Sequence, residues 1–174
     1  CSPLSMNSLA GDLQVSPKTV KSWLSVFCEN YFAFKVPPYH KNLQRALRKE
    51  SKYYLWDWSV LEDQGKRFEN LVASHLLKFC HFISDVYGYS LKLFYLRDTD
   101  KREVDFLMVW ENNPWIIVEC KSRSGGRFTP IKYFSDRLGV AKKYMVVREH
   151  GIDYLEHNSG VRVMSASRFL NAFV

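Results

Sequence analysis

The sequence contains few cysteines, and no two of them form a CxxC pair. Its four cysteines are scattered over 174 residues, at Cys1, Cys28, Cys80 and Cys120. Because three of them lie within apolar segments, we predict buried, reduced thiols rather than disulfide bridges or zinc ligands. Reduced thiols are typical of a cytoplasmic protein, and we expect that location here.

Long apolar runs are absent as well. No run approaches the roughly 20 residues that a membrane-spanning helix needs, and the first residues do not form a signal peptide. We therefore expect no membrane partner. The motif GxxxxGK does not occur either, so no P-loop ATP site is expected in this chain. The composition, with 47% hydrophobic and 25% charged residues, is typical of a globular protein of one domain or of a small and a medium one.

Acidic residues are scarce in two stretches of a chain whose net charge is +7. Residues 121–148 contain eight basic residues and one acidic residue, Asp136, whereas residues 41–52 contain five basic residues and one acidic residue, Glu50. Both patterns suit a surface that binds the phosphates of DNA, although an ordinary solvated face has the same pattern. Together with two lysines of an early helix, the predicted DNA contacts are Lys18, Lys21, Arg45, Arg48, Lys49, Arg123, Arg127 and Lys132.

Residues 1–64 have the outline of a winged-helix domain. A short helix in "SLAGDLQ" is followed by a second helix, for which Ser16 is a good N-cap and Pro17 a good first residue. The apolar stripe of this second helix is predicted to consist of Val20, Leu24 and Phe27. Two alternating segments, "YFAFKV" and "KYYLWDW", then predict a pair of strands. The alternative is a small packing domain that holds its neighbours together.

Residues 65–174 have the pattern of one α/β domain. A long helix begins near residue 65, and its buried stripe is predicted to consist of Phe68, Leu71, Val72, Leu76, Phe79 and Ile83. Three strand-like runs follow, "SLKLFYLR", "EVDFLMVW" and "PWIIVECK", and the short links between them predict antiparallel hairpins. A helix capped by Thr129 and ended by Gly139 comes next, and then the strand "KKYMVV". This gives the order α-β-β-β-α-β, and the segments "VRVMSA" and "SRFLNAF" follow it at the end of the chain.

The third of these strands ends in two opposite charges, Glu119 and Lys121. The chain contains three acid-x-base triplets, but only this one ends an apolar strand. Because a strand has a period of two, Glu119 and Lys121 point to the same face and Cys120 points to the other. The pair is either a tolerated ion pair at a strand end or part of a metal site.

Two further carboxylates are expected near this pair. Asp105 lies inside "VDFLMV", where an unpaired charge is costly to bury. Antiparallel pairing brings Asp105 close to Glu119, since the two are almost equally far from the turn at "ENNP". Two such carboxylates repel each other unless a divalent cation lies between them, so without metal Asp105→Asn should leave the stability unchanged or raise it. Glu69 lies at the edge of the buried stripe of the long helix and supplies a third carboxylate.

These residues resemble the motifs of the PD-(D/E)xK, or restriction-endonuclease-like, superfamily. Asp105 and "Glu119-Cys120-Lys121" match its second and third motifs, Glu69 matches the acidic residue of its first helix, and the order of elements matches its core. The whole chain also resembles the C-terminal region, called DUF4143, that follows an AAA-type ATPase domain in many prokaryotic ATPases. The segments that carry this likeness are "SPKTVKSWLSVFCENYFAFKVPPYHKNL", "KYYLWD", "GKRFENLV", "REVDF" and "VECKS".

The resemblance implies a winged helix joined to a nuclease-like domain. It also implies an ATPase domain upstream in the same protein, in agreement with a sequence that does not start with methionine. The metal ligands that it implies are Asp105, Glu119, Glu69 and the backbone carbonyl of Cys120, with Mg²⁺ or Mn²⁺ as the cation. Lys121 would then act on the attacking water and on the developing negative charge.

Three functions remain open at this stage. The first is a metal-dependent DNA nuclease, and the second is a DNA-binding or target-sensing module of an ATPase whose nuclease site is vestigial. The third is a protein-interaction module that recognises a partner for the ATPase. The retained acidic residues and Lys121 favour the first function, and the uneven basic charge favours either DNA-related function over the third. The fold by itself does not decide among them.

Overall fold

A computed structural model describes residues 3–40 and 50–173 and shows a mixed α/β protein. Its α-helices are α1 (Met6–Asp12), α2 (Pro17–Glu29), α3 (Gln64–Tyr87), α4 (Thr129–Leu138) and α5 (Ala166–Leu170). Short 3-10 helices lie at Trp58–Val60 and Asn171–Phe173. A small sheet consists of β1 (Ala33–Val36) and β2 (Lys52–Leu55). A large sheet consists of β3 (Leu91–Arg97), β4 (Glu103–Trp110), β5 (Asn113–Lys121), β6 (Lys142–Val147), β7 (Asp153–Glu156) and β8 (Val161–Ser165).

Helix α2 begins where its capping residues predict, but its apolar stripe is only partly covered. Ser16 accepts a hydrogen bond from a backbone N–H of the first turn at 3.1 Å, and Pro17 opens the helix, which confirms the predicted start. Val20 is buried, Leu24 is half-buried and Phe27 is 46% exposed, so the predicted stripe is wrong at Phe27. The main neighbours of α2 are α1 and β1, and they cover the side of the helix that bears Val20.

Strands β1 and β2 form an antiparallel hairpin, as the two alternating segments predict. Phe34, Val36 and Tyr54 of this hairpin are buried in the same hydrophobic core as α3 and β3. The hairpin therefore packs directly on the larger part of the protein. The winged-helix assignment and the division into residues 1–64 and 65–174 stay predictions.

The large sheet has the strand order β3-β4-β5-β6-β8-β7. Strands β3, β4 and β5 are antiparallel neighbours, as their short links predict, whereas β6 is parallel to β5 and is reached through α4. Strand β8 is parallel to β6, and β7 is antiparallel to β8 at the edge of the sheet. The sequence pattern does not predict β7, because Tyr154 and Leu155 are exposed and such an edge strand lacks a buried alternation.

Hydrophobic cores lie on both faces of the large sheet, since successive residues of β4, Phe106 and Leu107, belong to different cores. The predicted stripe of α3 is buried at Phe68, Val72 and Leu76 and partly buried at Leu71, Phe79 and Ile83. On the opposite face α4 buries Ile131 and Phe134. Although α3 has 24 residues, no helix within residues 3–40 and 50–173 is long and apolar enough to cross a membrane.

Helix α4 ends as predicted but begins one residue earlier. Gly139 is its C-cap with a φ of +69°, a left-handed conformation that glycine adopts without strain. Thr129 is already helical, and Phe128 holds the N-cap position without a side-chain hydrogen bond, so the predicted Thr129 cap is wrong. Pro130 suits any position of a first turn because it has no N–H to satisfy, and it therefore does not distinguish the two starting points.

The cysteines that the structure describes are free thiols, in agreement with the sequence. Cys80 and Cys120 are buried, and Cys28 is half-buried. Burial raises the pKa of Cys80 to about 12, so this thiol stays protonated at neutral pH. Cys80 and Cys120 thus act as small apolar residues of the core.

Candidate functional site

The hairpin of β4 and β5 brings Asp105 and Glu119 together at its open end. Phe106 lies opposite Val118, so Asp105 and Glu119 are the next pair along the strands. The backbone N–H of Asp105 donates to Glu119 Oε2 at 3.3 Å, and the backbone N–H of Cys120 donates to Asp105 Oδ2 at 3.0 Å. Each carboxylate is therefore bonded to the backbone of the opposite strand.

Lys121 pairs with Glu119 at the end of β5. Its Nζ lies 2.6 Å from Glu119 Oε1. The lysine side chain is 43% exposed and the glutamate side chain 11% exposed, so the ammonium faces solvent while the carboxylate is nearly enclosed. Because Lys121 is half-exposed, an anion from solvent can reach it.

A second lysine, Lys52 at the start of β2, lies among the carboxylates. Its side chain is fully buried, and its Nζ lies 2.7 Å from Glu103 Oε1, 3.2 Å from Asp105 Oδ1 and 3.3 Å from Glu69 Oε1. The prediction of an exposed basic surface over residues 41–52 is therefore wrong for Lys52. Buried positions alternate along β2, and Lys52 shares a face with Tyr54, so the pleat of the strand turns its side chain inwards.

Glu69 of α3 is held in place from β2. The Tyr54 hydroxyl donates to Glu69 Oε1 at 2.7 Å, next to Lys52. Burial, followed by the charges of Glu69 and Asp105, raises the pKa of Tyr54 well above its usual value, so this hydroxyl stays a donor. One residue further along α3, the buried Asn70 side chain donates to the backbone carbonyl of Leu55 at 2.7 Å and accepts its N–H at 2.9 Å. These bonds fasten β2 to α3.

Burial and neighbouring charges set the protonation of the site. Burial by itself lowers the pKa of Lys52, but the attraction of its three carboxylate partners is stronger and raises that pKa above its usual value. The Lys52 ammonium is therefore charged at neutral pH. Burial, followed by the charge of Asp105, raises the pKa of Glu119 to about 7, against the opposing effect of Lys121. Glu119 thus changes its protonation near neutral pH.

The oxygen atoms of the site fit an ammonium ion and backbone amides rather than a divalent cation. Asp105 Oδ1 and Glu69 Oε1 face Lys52, Asp105 Oδ2 accepts a backbone N–H, and both Glu119 oxygens have donors. Cys120, whose carbonyl is the fourth implied ligand, lies within β5 and pairs with β6. In the part of the chain that the structure describes, no group of three His, Cys, Asp or Glu residues is arranged to hold a metal ion. A cation bound to both Asp105 Oδ1 and Glu69 Oε1 would compete with Lys52 for these oxygen atoms.

An open groove of about 540 Å³ lies beside the carboxylates. The residues that line it are Asp100, Lys101, Arg102, Glu103, Glu119, Lys121, Arg127 and Pro130. Of the predicted DNA contacts that the structure describes, only Arg127 lines this groove, and it does so together with Lys121. The lining of the groove therefore contains both basic and acidic side chains.

The other predicted DNA contacts either do not line this groove or lie outside the described residues. The exposed ones are Lys18 and Lys21 on α2, Arg123 after β5, and Lys132 on α4. The contacts outside the described residues are Arg45, Arg48 and Lys49. The described members of this set therefore lie on separate elements, and their role in DNA binding stays a prediction.

Sequence reasoning misses two members of the site, Lys52 and Glu103. The available signal for Lys52 is its place in "KYYL", where the period of two puts it on the face of Tyr54. For Glu103 the signal is its position two residues before Asp105, on the same face of β4. Neither signal by itself assigns its residue to the site, because each residue also fits an exposed position. The assignment requires knowing that Lys52 and Glu103 pair with each other.

The residues of this site fall in two family matches that overlap at residues 64–67. Residues 64–169, more than half of the chain, match the model of a family described as Domain of unknown function (DUF4143). The chain belongs to the DUF4143 family. Residues 2–67 match the model of a second family, described as Domain of unknown function (DUF8612). No curated protein and no solved structure matches the chain.

The two matches divide the residues of the site between them. Glu69, Asp105, Glu119 and Lys121 lie within the DUF4143 match. Lys52 lies within the DUF8612 match, on the hairpin that packs against α3. The buried cation of the cluster is therefore contributed from outside the DUF4143 segment that contributes the carboxylates.

Proposed function

We propose that this DUF4143 chain is a DNA-binding, target-sensing module of an AAA-type ATPase, with a restriction-endonuclease-like core behind a winged-helix-like domain. The observation that carries the proposal is the convergence of Asp105, Glu119 and Lys121 at the open end of the β4–β5 hairpin. The succession of α3, three antiparallel strands, α4 and the parallel strand β6 supports such a core. The succession of α1, α2 and the β1–β2 hairpin supports the winged-helix-like part.

The groove beside Lys121 supports binding of DNA phosphates. Lys101, Lys121 and Arg127 line it, and contacts from lysine and arginine to phosphate supply most sequence-independent affinity for DNA. Because Lys121 is half-exposed, a phosphate oxygen can replace Glu119 as its partner. The acidic residues of the groove limit the number of such contacts. We therefore expect modest, salt-sensitive affinity with little preference for sequence.

Titration of the 174-residue chain with fluorescently labelled DNA, followed by anisotropy at several salt concentrations, tests this proposal. Lys101→Glu together with Arg127→Glu should weaken binding to every sequence and reduce the salt slope by about one per lost phosphate contact. Arg48→Glu together with Lys49→Glu tests the second basic stretch and should also weaken binding to every sequence. Lys92→Glu, at an exposed position of β3 outside the groove, is the control and should change little. No binding by the unmutated chain at low salt would instead favour a protein-interaction module.

A metal-dependent DNA phosphodiesterase is the second candidate. It is favoured by Lys121, which lies beside both Glu119 and the groove, where it could act on a bound phosphate. This function would need Mg²⁺ or Mn²⁺ among the four implied ligands. In the folded structure the side chains of the three carboxylate ligands are bonded to Lys52, Lys121, Tyr54 and backbone amides. DNA binding needs no such rearrangement. The non-catalytic role is therefore the better supported of the two.

A further inference from the structure

The cation at the centre of the carboxylate cluster is a side chain of the protein, the ammonium group of Lys52. Lys52 Nζ has three carboxylate partners on α3 and β4, none of them further than 3.3 Å. An ammonium group has three N–H donors, so three acceptors match its full capacity. Because the Lys52 side chain is fully buried, these carboxylates also supply the charge that compensates its removal from water.

We propose that Lys52 is an internal substitute for a divalent cation, and that the docked β1–β2 hairpin thereby keeps metal ions out of the carboxylate site. This inference rests on the proposed restriction-endonuclease-like core, since the resemblance to that core is what assigns Asp105, Glu119 and Glu69 as metal ligands. The substitute comes from the DUF8612 segment, and the carboxylates come from the DUF4143 segment.

A divalent cation and the Lys52 ammonium compete for the same oxygen atoms. Asp105 Oδ1 and Glu69 Oε1 lie 3.2 and 3.3 Å from Lys52 Nζ. Mg²⁺ binds oxygen at about 2.1 Å, so an ion bonded to both oxygens would lie against the ammonium. Repulsion between two cations at contact distance is strong where water is excluded. Either the ion stays out, or Lys52 withdraws.

Withdrawal of Lys52 involves the hairpin. Lys52 pairs with Val36 in the β1–β2 register, and Tyr54 and Leu55 of the same strand are hydrogen-bonded to Glu69 and Asn70 of α3. The ammonium therefore leaves either by a turn of a buried side chain or by movement of β2. Metal binding and hairpin docking are then coupled, and each disfavours the other to the same degree.

Titration of Lys52→Met with Mn²⁺ tests the inference, because methionine keeps much of the length of lysine and removes its charge. Bound Mn²⁺ is measured by electron paramagnetic resonance and, independently, by the shift of the unfolding midpoint. Lys52→Met should bind Mn²⁺ more tightly than the unmutated chain by about tenfold or more, the usual size of a coupling between competing ligands. Asp105→Asn in the Lys52→Met background should remove this gain. Lys35→Met, at the exposed position of β1, is the matched control and should bind as the unmutated chain does.

A second variant keeps the test decisive if Lys52→Met does not fold. Lys52→Met with Glu103→Gln keeps the net charge of the cluster, and Glu103 is a partner of Lys52 that is not among the implied ligands. This charge-balanced variant should show the same gain in Mn²⁺ affinity. Equal affinities in this variant and in the unmutated chain would overturn the inference. An equal gain in Lys35→Met would do the same.

Chemical modification gives a further measurement on the unmutated chain. Reductive methylation followed by mass spectrometry should modify Lys35 readily and Lys52 slowly, because only Lys52 is buried. If Mn²⁺ binds at high concentration, Lys52 should become reactive as it leaves the site. Saturation of the carboxylates by Mn²⁺ while Lys52 stays protected would show that both cations coexist, and the inference would be wrong. These measurements are made without DNA. They therefore test cation competition separately from the proposed DNA binding, and either can fail without the other.

Discussion

Glu119 is expected to make the stability of the protein depend on pH near neutrality. Burial, followed by the charge of Asp105, raises its pKa from an ordinary value of 4.5 to about 7 in the folded state. Between these two values the folded protein holds a proton on Glu119 that the unfolded chain has released. The free energy of unfolding therefore falls as the pH rises through this window, and the contribution of Glu119 is fully present only below the lower value.

The size of this effect follows from the shift in pKa. One pKa unit corresponds to about 1.4 kcal/mol, so the shift of Glu119 sets an upper limit of ~3 kcal/mol on the stability lost between pH 5 and pH 8. The neighbouring Lys121 ammonium favours the ionised carboxylate, and its effect is already included in the pKa of about 7. A loss of about 1–3 kcal/mol is therefore the expected range.

Urea unfolding of the unmutated chain and of Glu119→Gln between pH 5 and pH 8 measures this loss. Glutamine does not ionise, so the variant should lack this part of the pH dependence, and the difference between the two profiles isolates Glu119 from the histidines. Glu62→Gln, at an exposed position, should keep the profile of the unmutated chain. Parallel profiles of the unmutated chain and Glu119→Gln would refute the reasoning, because Glu119 would then ionise equally easily in the folded and unfolded states.

Three further substitutions test the same cluster. Lys52→Met should lower the free energy of unfolding by ~3–5 kcal/mol at pH 7 in urea unfolding, because it leaves buried carboxylates without their cation. Asp105→Asn should lower it by ~1–3 kcal/mol in the same assay, because one amide group cannot accept from both Lys52 and the Cys120 N–H as the carboxylate does. Lys121→Ala should abolish any Mn²⁺-dependent digestion of single- or double-stranded DNA by the unmutated chain. It should leave Mn²⁺ binding near normal, because an ammonium is not a metal ligand and the half-exposed Lys121, unlike the buried Lys52, can turn away from Glu119 into solvent.

Each of these substitutions has an outcome that contradicts its basis. A loss of equal size in Lys35→Met would mean that the hairpin tolerates no such change and that the cluster is not the cause. A rise in stability of Asp105→Asn would restore the expectation from carboxylate repulsion and contradict the bonding of Asp105 to Lys52. Equal digestion by the unmutated chain and Lys121→Ala would indicate a contaminating nuclease, whereas no digestion by either agrees with DNA binding without catalysis.

Local patterns in the sequence were sufficient to predict that Asp105 and Glu119 are neighbours. Two residues that lie almost equally far from a short turn become neighbours in an antiparallel hairpin, and the observed pairing of Phe106 with Val118 follows that rule. The N-cap at Ser16 is predicted on the same basis. In these cases the interacting groups are close along the chain, or a short turn joins them, so one local conformation decides the outcome.

Tertiary structure alone decided the charge balance of the site. Lys52 is 17 residues from Glu69 and 53 residues from Asp105 along the chain, and no local period relates positions so far apart. Its basic neighbours in the sequence suggest an exposed position, but packing of β2 on α3 turns it inwards, where three carboxylates compensate its burial. Phe27 shows the converse. Its place in the apolar period suggests burial, but it is exposed, because α1 and β1 cover the other side of α2. Whether such a side chain is enclosed depends on which distant element packs on it, and that choice is made by the packing of the whole fold.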